Sequence, residues 1–266
     1  MARTDLKGKP IAITGASSGI GAATAVACAK AGMHVALAAR RTDKLDALVD
    51  LIKSDGGQAI AVACDVTKPD DCARLVNETI RTFGSIYSVF ANAGFGEKHD
   101  LLDMPEKNLR DMFEVNLFGT LNTIRPAIEQ MKPNRSGHVL ICTSCLTALP
   151  SPGYSIYSAT KSAQHHIGRA LGVELEDFGI KVTTVHPVRT RTEFFDTMQQ
   201  RQGTKRNPAK KDKGQPPELV ARRVLSVLRN PKPELWMSEP ARRGFLLAAH
   251  MPRLTNRLLR DRYKSS

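Results

Sequence analysis

The 266-residue chain predicts a single domain built on a doubly wound, parallel α/β sheet of about seven strands. Three observations predict it. Up to about residue 187, short runs rich in Val, Ile and Ala alternate with longer segments of helical periodicity. Those runs are apolar throughout their middles, as strands covered on both faces must be. A glycine cluster follows the first run directly, and neither a repeat period nor a Ser/Gly linker divides the pattern.

Taken in order, the first strand is Pro10–Gly15, running into "TGASSGIGAATAVACAKAG". Gly15, Gly19 and Gly21, with Ser17, Ser18 and Ile20 between them, let the backbone turn sharply and approach a pyrophosphate, and the Ala-rich helix offers free N–H donors at its start. The second strand is Met33–Ala39. Asp43 then opens a helix with Leu45, Leu48, Val49 and Ile52 on one face, stopped by Gly56 and Gly57. Further strands are expected at Gln58–Cys64, Ile86–Ala91, Gly137–Ser144 and Ile180–Pro187. After residue 188 the polar, basic stretch "RQGTKRNPAKKDKGQPPE" reads as a mobile excursion, returning to a helix at Glu218–Leu228 and a last short strand at Glu234–Met237. Helices are expected around Phe245–His250 and Leu254–Arg262, with Pro252 between them. The catalytic domain is thus residues 1–240, with a substrate loop at about 189–216, and 241–266 is a basic amphipathic extension.

No apolar run approaches the ~20 residues needed to cross a bilayer, and Met1 to Pro10 lacks the apolar block of a secretory signal, so a cytoplasmic location is expected. The five cysteines are an odd number, which favours reduced thiols over a disulfide framework. Cys142 and Cys145 form a C-x-x-C, but at the end of a β-rich run buried, inert thiols are the better reading. Residues 201–266 hold 17 Lys and Arg against 5 Asp and Glu, so nearly all of the net charge of +13 sits in the tail and concerns partners, not the core.

The spacing T-G-x-x-x-G-x-G, "CDV" at Cys64–Val66, "NAG" at Asn92–Gly94, Asn116, Ser144, Tyr157 and Lys161, all in order, resemble the short-chain dehydrogenase/reductase family. The resemblance implies a Rossmann-type fold and an oxidoreductase using a nicotinamide dinucleotide. By it, Asp65 and Val66 hold the adenine end, while Asn92, followed by Ala93 and Gly94, braces the sheet beside the cofactor. Taken alone, Asp65 reads equally well as a strand-end cap. At the end of strand two, where an acidic residue would take a ribose 2′-hydroxyl, stand Ala39, Arg40 and Arg41. A guanidinium suits a 2′-phosphate, so NADP(H) is expected to be preferred and NAD(H) usable, with Arg40 first and Arg41 second. Asp43 is a rival ribose partner, although N-capping suits its position better.

In "YSIYSATK" two tyrosines precede one lysine. Tyr157 lies four residues before Lys161, one helical turn away, and a nearby positive charge lowers a phenol's pKa. Tyr154 is one turn farther off. The resemblance adds the interval from Ser144 to Tyr157, implying Tyr157 as general acid/base, Ser144 as the donor polarising a carbonyl, Lys161 as pKa tuner and ribose anchor, and Asn116 as the group ordering a proton-relay water. At "HPVRTRT" Pro187 and Thr192 match the family, with Thr192 at the nicotinamide carboxamide, while Val188 replaces the usual glycine.

Cys145, Leu146, Leu149, Pro150, Tyr154, Phe194 and Phe195 are expected near the substrate, a mostly apolar set that suits a hydrophobic ketone, aldehyde or alcohol. No metal site is expected. The excursion Arg201–Lys213 reads as a solvated lid or as an attractor for an acidic handle. The terminal stretch, with Phe245, Leu246, Leu247, Met251, Leu254, Leu258 and Leu259 among six arginines and a lysine, reads as helices packed on the active site or a partner subunit. Peripheral membrane contact is a second reading, and nucleic acid is not expected. Relatives being commonly dimers or tetramers, the resemblance implies a homodimer or homotetramer.

Overall fold

A computed structural model describes residues 3–147, 151–201 and 214–264, without the side chains of Leu258 and residues 261–264. Leu149, Pro150 and the basic residues Lys205, Arg206, Lys210 and Lys211 lie outside the described residues.

Seven parallel strands form one sheet in the order β3-β2-β1-β4-β5-β6-β7. They are β1 Pro10–Thr14, β2 His34–Ala39, β3 Gln58–Ala63, β4 Ser88–Ala91, β5 Gly137–Cys142, β6 Ile180–His186 and β7 Glu234–Trp236. Every predicted strand is present, its ends within two residues of expectation; Gly15, for example, leaves the ladder because its φ of +66° already belongs to the turn. The strand order reverses between β1 and β4, and a crevice opens there beyond the carboxyl ends.

Alternation within the strands divides the core between the two faces. Ile11 and Ile13 of β1 pack with Cys28 of α1 (Gly19–Lys30), Leu45, Val49 and Ile52 of α2 (Thr42–Ser54), and Val220, Val224 and Leu228 of α8 (Pro217–Arg229). Ala12 faces the other way, into a cluster with Leu75 and Val76 of α3 (Pro69–Phe83) and Ile124, Ala127 and Met131 of α5 (Gly119–Met131). On that face α6 (Ser155–Glu174) lies against β6, close enough that a Cβ on Gly168 would stand 2.4 Å from Thr184 Cγ2.

Several details depart from expectation. Asp43 does not cap α2: Arg41, still extended at φ −90° and ψ 90°, is the N-cap, and Asp43 sits in the first turn, where its charge suits the helix dipole. Part of the predicted substrate loop is the helix α7 (Phe194–Arg201), which buries Met198; its polar composition hid it. A short helix α4 (Glu106–Met112) runs through a π-helical turn at Phe113–Phe118 into α5. Pro252 is the first residue of α10 (Pro252–Lys264), which continues closely from α9 (Glu239–His250), since Met251 N bonds to Leu247 O at 2.7 Å and Thr255 N to Met251 O at 3.1 Å. Among the described residues, no helix is long and apolar enough to cross a membrane.

Candidate active site

A cleft of about 770 Å³ occupies the crevice and, among the described residues, has every expected site residue on its walls except Gly21 and Asn116. Its floor is the glycine turn, where side chains are excluded. A Cβ on Gly21 would stand 2.4 Å from the Gly15 carbonyl oxygen, one on Gly15 2.9 Å from Ala93 Cα, and one on Gly19 2.8 Å from Thr192 Cγ2. Such a cradle, opening a helix N-terminus, fits a dinucleotide pyrophosphate. Asn92 ties the end of β4 to that of β1: its Nδ2 donates to Thr14 O at 3.0 Å, and its main-chain N to Thr14 Oγ1 at 3.1 Å. Asp65 lines the cleft and also caps its own turn, with Oδ1 accepting from Thr67 N at 3.0 Å and Thr67 Oγ1 at 2.9 Å.

Arg40 and Arg41 both reach this end, but only Arg41 is tied to the glycine turn. Its Nη2 bonds to Ser17 Oγ at 2.9 Å and Ser18 Oγ at 3.1 Å, and its Nη1 pairs with Glu193 Oε2 at 2.7 Å. Lys44 holds the other Glu193 oxygen at 2.6 Å. Hydrogen bonds from Lys44 and Arg41 bring the Glu193 carboxyl down to about 2. Glu193 lies 152 residues from Arg41, and no local signal in the sequence marks it.

At the other end, Tyr157 stands in the first turn of α6 with Tyr154 as its N-cap, and Ser144 follows β5. Ser144 and Tyr157 line the cleft together, the Ser144 side chain acting to lower the phenol's pKa, and the Ser144 hydroxyl accepts from Leu146 N at 3.1 Å. Lys161 Nζ donates to Cys142 O at 2.9 Å and lies 5.8 Å from the Tyr157 ring centroid. A Cβ on Gly94 would meet Asn116 Oδ1 at 2.9 Å and Lys161 Nζ at 3.3 Å, so both groups converge on that bare backbone. Asn116, buried in the π turn, ties the cleft wall down through Phe95: Oδ1 accepts from Phe95 N and Nδ2 donates to Phe95 O, each at 2.9 Å. Its main-chain carbonyl accepts from Thr120 Oγ1 at 2.8 Å and Gln164 Nε2 at 2.6 Å.

The electrostatics of this end correct the expectation that Lys161 makes Tyr157 acidic. Burial pushes the Tyr157 phenol well above 10, only partly offset by the Ser144 hydrogen bond. Burial likewise lowers Lys161 to about 8. Helical spacing aligned the two side chains, but burial is the leading cause of both shifts.

Cys145, Leu146, Tyr154, Phe194 and Phe195 line the same cleft. Phe194 meets the Tyr157 ring edge-on at 5.7 Å, and the Arg189 guanidinium lies 4.0 Å over Phe195. Sequence reasoning missed the group that anchors α7: Arg201 stacks 4.3 Å over Phe95 and pairs with buried Glu97 and, at 3.0 Å, with Asp111. All five cysteines are free thiols, and burial raises both Cys142 and Cys145, in keeping with an inert C-x-x-C.

A doubly wound sheet with a glycine cradle at its switch point and a buried Ser, Tyr and Lys beside it defines a dinucleotide-type α/β oxidoreductase scaffold. The short chain dehydrogenase family profile matches residues 9–203. The chain is 36% identical over 195 residues to the uncharacterized oxidoreductase Lin0452 of Listeria innocua, covering 73% of this chain and 79% of that one. It is 34% identical over 180 residues to the 3-oxoacyl-[acyl-carrier-protein] reductase FabG of Staphylococcus epidermidis, covering 67% and 74%. The alcohol dehydrogenase of Thermococcus sibiricus, solved with 5-hydroxy-NADP, superposes with a TM-score of 0.77 at 29% identity over 86% of this chain and 95% of that one. The chain belongs to the short-chain dehydrogenase family and is an oxidoreductase of that family.

Proposed function

We propose that the protein is an NADP(H)-dependent carbonyl reductase that interconverts an apolar or acyl-type ketone or aldehyde with its alcohol, NAD(H) serving less well. The observation that carries this reading is the gathering of Ser144, Tyr157 and Lys161 on the walls of one cleft that also carries Arg40 and Arg41. The likeness to a 3-oxoacyl reductase and to a structure holding an NADP derivative supports the acyl substrate and the cofactor choice.

The residues that would hold the dinucleotide are the Gly15–Gly21 turn at the pyrophosphate, Arg41 and Arg40 at the 2′-phosphate, Asp65 and Val66 at the adenine, Asn92 to Gly94 along the middle, and Lys161, Pro187 and Thr192 at the nicotinamide riboside. Bound there, the nicotinamide gives or takes a hydride. Ser144 donates a hydrogen bond to the substrate oxygen, and Tyr157 delivers the proton that turns the developing alkoxide into an alcohol, or removes it in the reverse direction. Lys161, protonated below about 8, is the reservoir of positive charge behind that transfer.

The reading includes a cytoplasmic setting, consistent with five free thiols, and a homodimer or homotetramer, consistent with the exposed apolar Phe118 and Val173. Oxidation of NADPH and of NADH at matched concentrations over a panel of carbonyl compounds tests it. Equal use of the two cofactors would overturn the preference, and dinucleotide binding without turnover on any carbonyl would instead make the protein a cofactor-holding sensor.

A further inference from the structure

Behind Ser144, on the side away from the cleft, lies a buried polar cluster that the proposed chemistry does not use. His186 ends β6, His165 stands on α6 one turn beyond Lys161, and Glu234 opens β7. His186 and His165 are buried and Glu234 is largely covered; their ligand-type atoms all lie within 4.8 Å of one another. Three such groups suggest a cation site, but hydrogen-bond accounting finds each already engaged. Glu234 Oε1 meets His165 Nε2 at 2.9 Å and Oε2 accepts from Trp236 Nε1 at 2.7 Å. His186 Nδ1 faces Ser144 O at 3.2 Å and Thr143 Oγ1 at 3.0 Å, and its Nε2 faces Thr184 Oγ1 at 3.0 Å.

The partners fix the tautomer. The Ser144 carbonyl can only accept, and Thr143 Oγ1 spends its proton on Val185 O at 2.7 Å, so both need a donor at Nδ1. Nε2 is then the acceptor for the Thr184 hydroxyl, to which it lies nearer, at 3.0 Å, than the alternative acceptor Pro233 O at 3.4 Å. The ring has no freedom to turn: Trp236 stacks on it at 3.9 Å and 6°, and His165 abuts it edge-on at 4.8 Å. Phe245 of α9 closes the cluster against His165 at 5.6 Å and Trp236 at 5.3 Å. Burial, reinforced by His165, lowers His186 to about 4, so the imidazole is neutral near pH 7.

We propose that His186 is a positioning residue for the reaction: its Nδ1–H, clamped by Trp236 and His165, holds the Ser144 carbonyl and so sets where the Ser144 hydroxyl points in the cleft. The inference rests on Ser144 being the group that polarises the carbonyl. Past the end of β5 the chain stays tied to β6, with Thr143 N bonding to Val185 O at 2.8 Å and Cys145 N to Pro187 O at 2.9 Å. Between these two rungs the Ser144 carbonyl faces the imidazole on one side and accepts from Thr147 N, at 3.2 Å, and the Thr147 hydroxyl on the other. A hydroxyl displaced by a fraction of an ångström loses much of its effect on a developing oxyanion.

The experiment compares His186→Asn with His186→Gln in the full chain, using the best carbonyl substrate and saturating NADPH. An asparagine amide places its nitrogen where Nδ1 stands; a glutamine amide reaches only the Nε2 position. The expected result is a kcat lowered about tenfold or more for Gln with KM little changed, and restored to within about threefold by Asn, although both variants melt at similarly reduced temperatures. Equal losses of kcat in the two variants, or no loss in either, would overturn the proposal. Should neither variant fold, ¹⁵N NMR of the histidine-labelled native chain decides: a protonated Nδ1 with a neutral ring supports the proposal, whereas a protonated Nε2, or stoichiometric zinc retained on the ring after dialysis, overturns it. Ser144→Ala in the same assay separates the two levels, since full kcat in that variant would sink the role of Ser144 itself.

Discussion

Arg41 and Glu193 face each other across the mouth of the cleft, 2.7 Å from Nη1 to Oε2, while the same guanidinium lies on the hydroxyls of Ser17 and Ser18. A carboxylate thus sits on the cation proposed to take the 2′-phosphate, and the two acids would compete for it. Glu193→Gln should lower KM for NADPH severalfold and leave KM for NADH within about twofold. Arg41→Ala should raise KM for NADPH about tenfold, more than Arg40→Ala does. Steady-state kinetics with both cofactors checks each outcome.

Tyr157→Phe removes the hydroxyl proposed as proton donor while keeping the ring that Phe194 packs against. Turnover should fall by about 100-fold or more, with dinucleotide affinity by fluorescence titration within about twofold of the parent. With Lys161 at about 8, the rate of carbonyl reduction should decline as pH rises through that value. A flat profile to pH 10 would remove Lys161 from the proton path.

Two buried imidazoles give the fold an acid limit. Burial lowers His138 from its ordinary 6.5 to about 3 and His186 from 6.5 to about 4. As pH falls below 6.5 the unfolded chain binds protons that the native chain refuses, so stability is complete above 6.5 and is lost progressively toward those lower values. Urea midpoints should therefore drop between about pH 6.5 and pH 4, and His138→Leu should flatten the drop. A midpoint independent of pH over that range would contradict the burial of both rings.

The C-terminal helices present Leu246, Leu247, Met251 and Leu254 at 44, 37, 50 and 40% exposure, amid Arg243, Arg253 and Arg257, while Phe245 holds α9 to the body. Four partly covered side chains fall far short of the ~800 Å² each partner of a stable dimer buries, and a second copy would set arginine against arginine. An anionic lipid surface suits both features. The intact chain should co-sediment with vesicles containing phosphatidylserine and be released by high salt, and changing the four apolar residues to serine should leave it in the supernatant. Recovery in the supernatant with both kinds of vesicle, charged and neutral, would leave these helices a purely structural role.

The strands, the glycine turn and the shared helix face of Tyr157 and Lys161 were legible because their signals are local: apolar runs bounded by turns, bare glycines after a strand, a four-residue helical interval; Ser144 was singled out only by the family resemblance. What escaped depends on distant partners. Glu193 finds Arg41 across 152 positions and His165 finds Glu234 across 69, and no periodicity encodes such pairs. The tie of Arg41 to Ser17 and Ser18 escaped for the same reason. The direction of the Tyr157 shift depends on burial, which the eight letters "YSIYSATK" do not contain. Helix α7 lay hidden because Phe194 and Met198 are its main apolar contacts among polar neighbours.

The π turn at Phe113–Phe118 acts as a phase shifter between α4 and α5. Such a turn is an ordinary helix carrying one surplus residue, and the surplus rotates everything upstream by about 100° relative to an unbroken helix. A wheel drawn straight through Glu106–Met131 would therefore point Asn116 away from Phe95. Trimming a single residue from this segment would restore perfect helical regularity at the expense of the backbone clasp on the cleft wall, so the irregularity is what keeps the aromatic wall in register with α6.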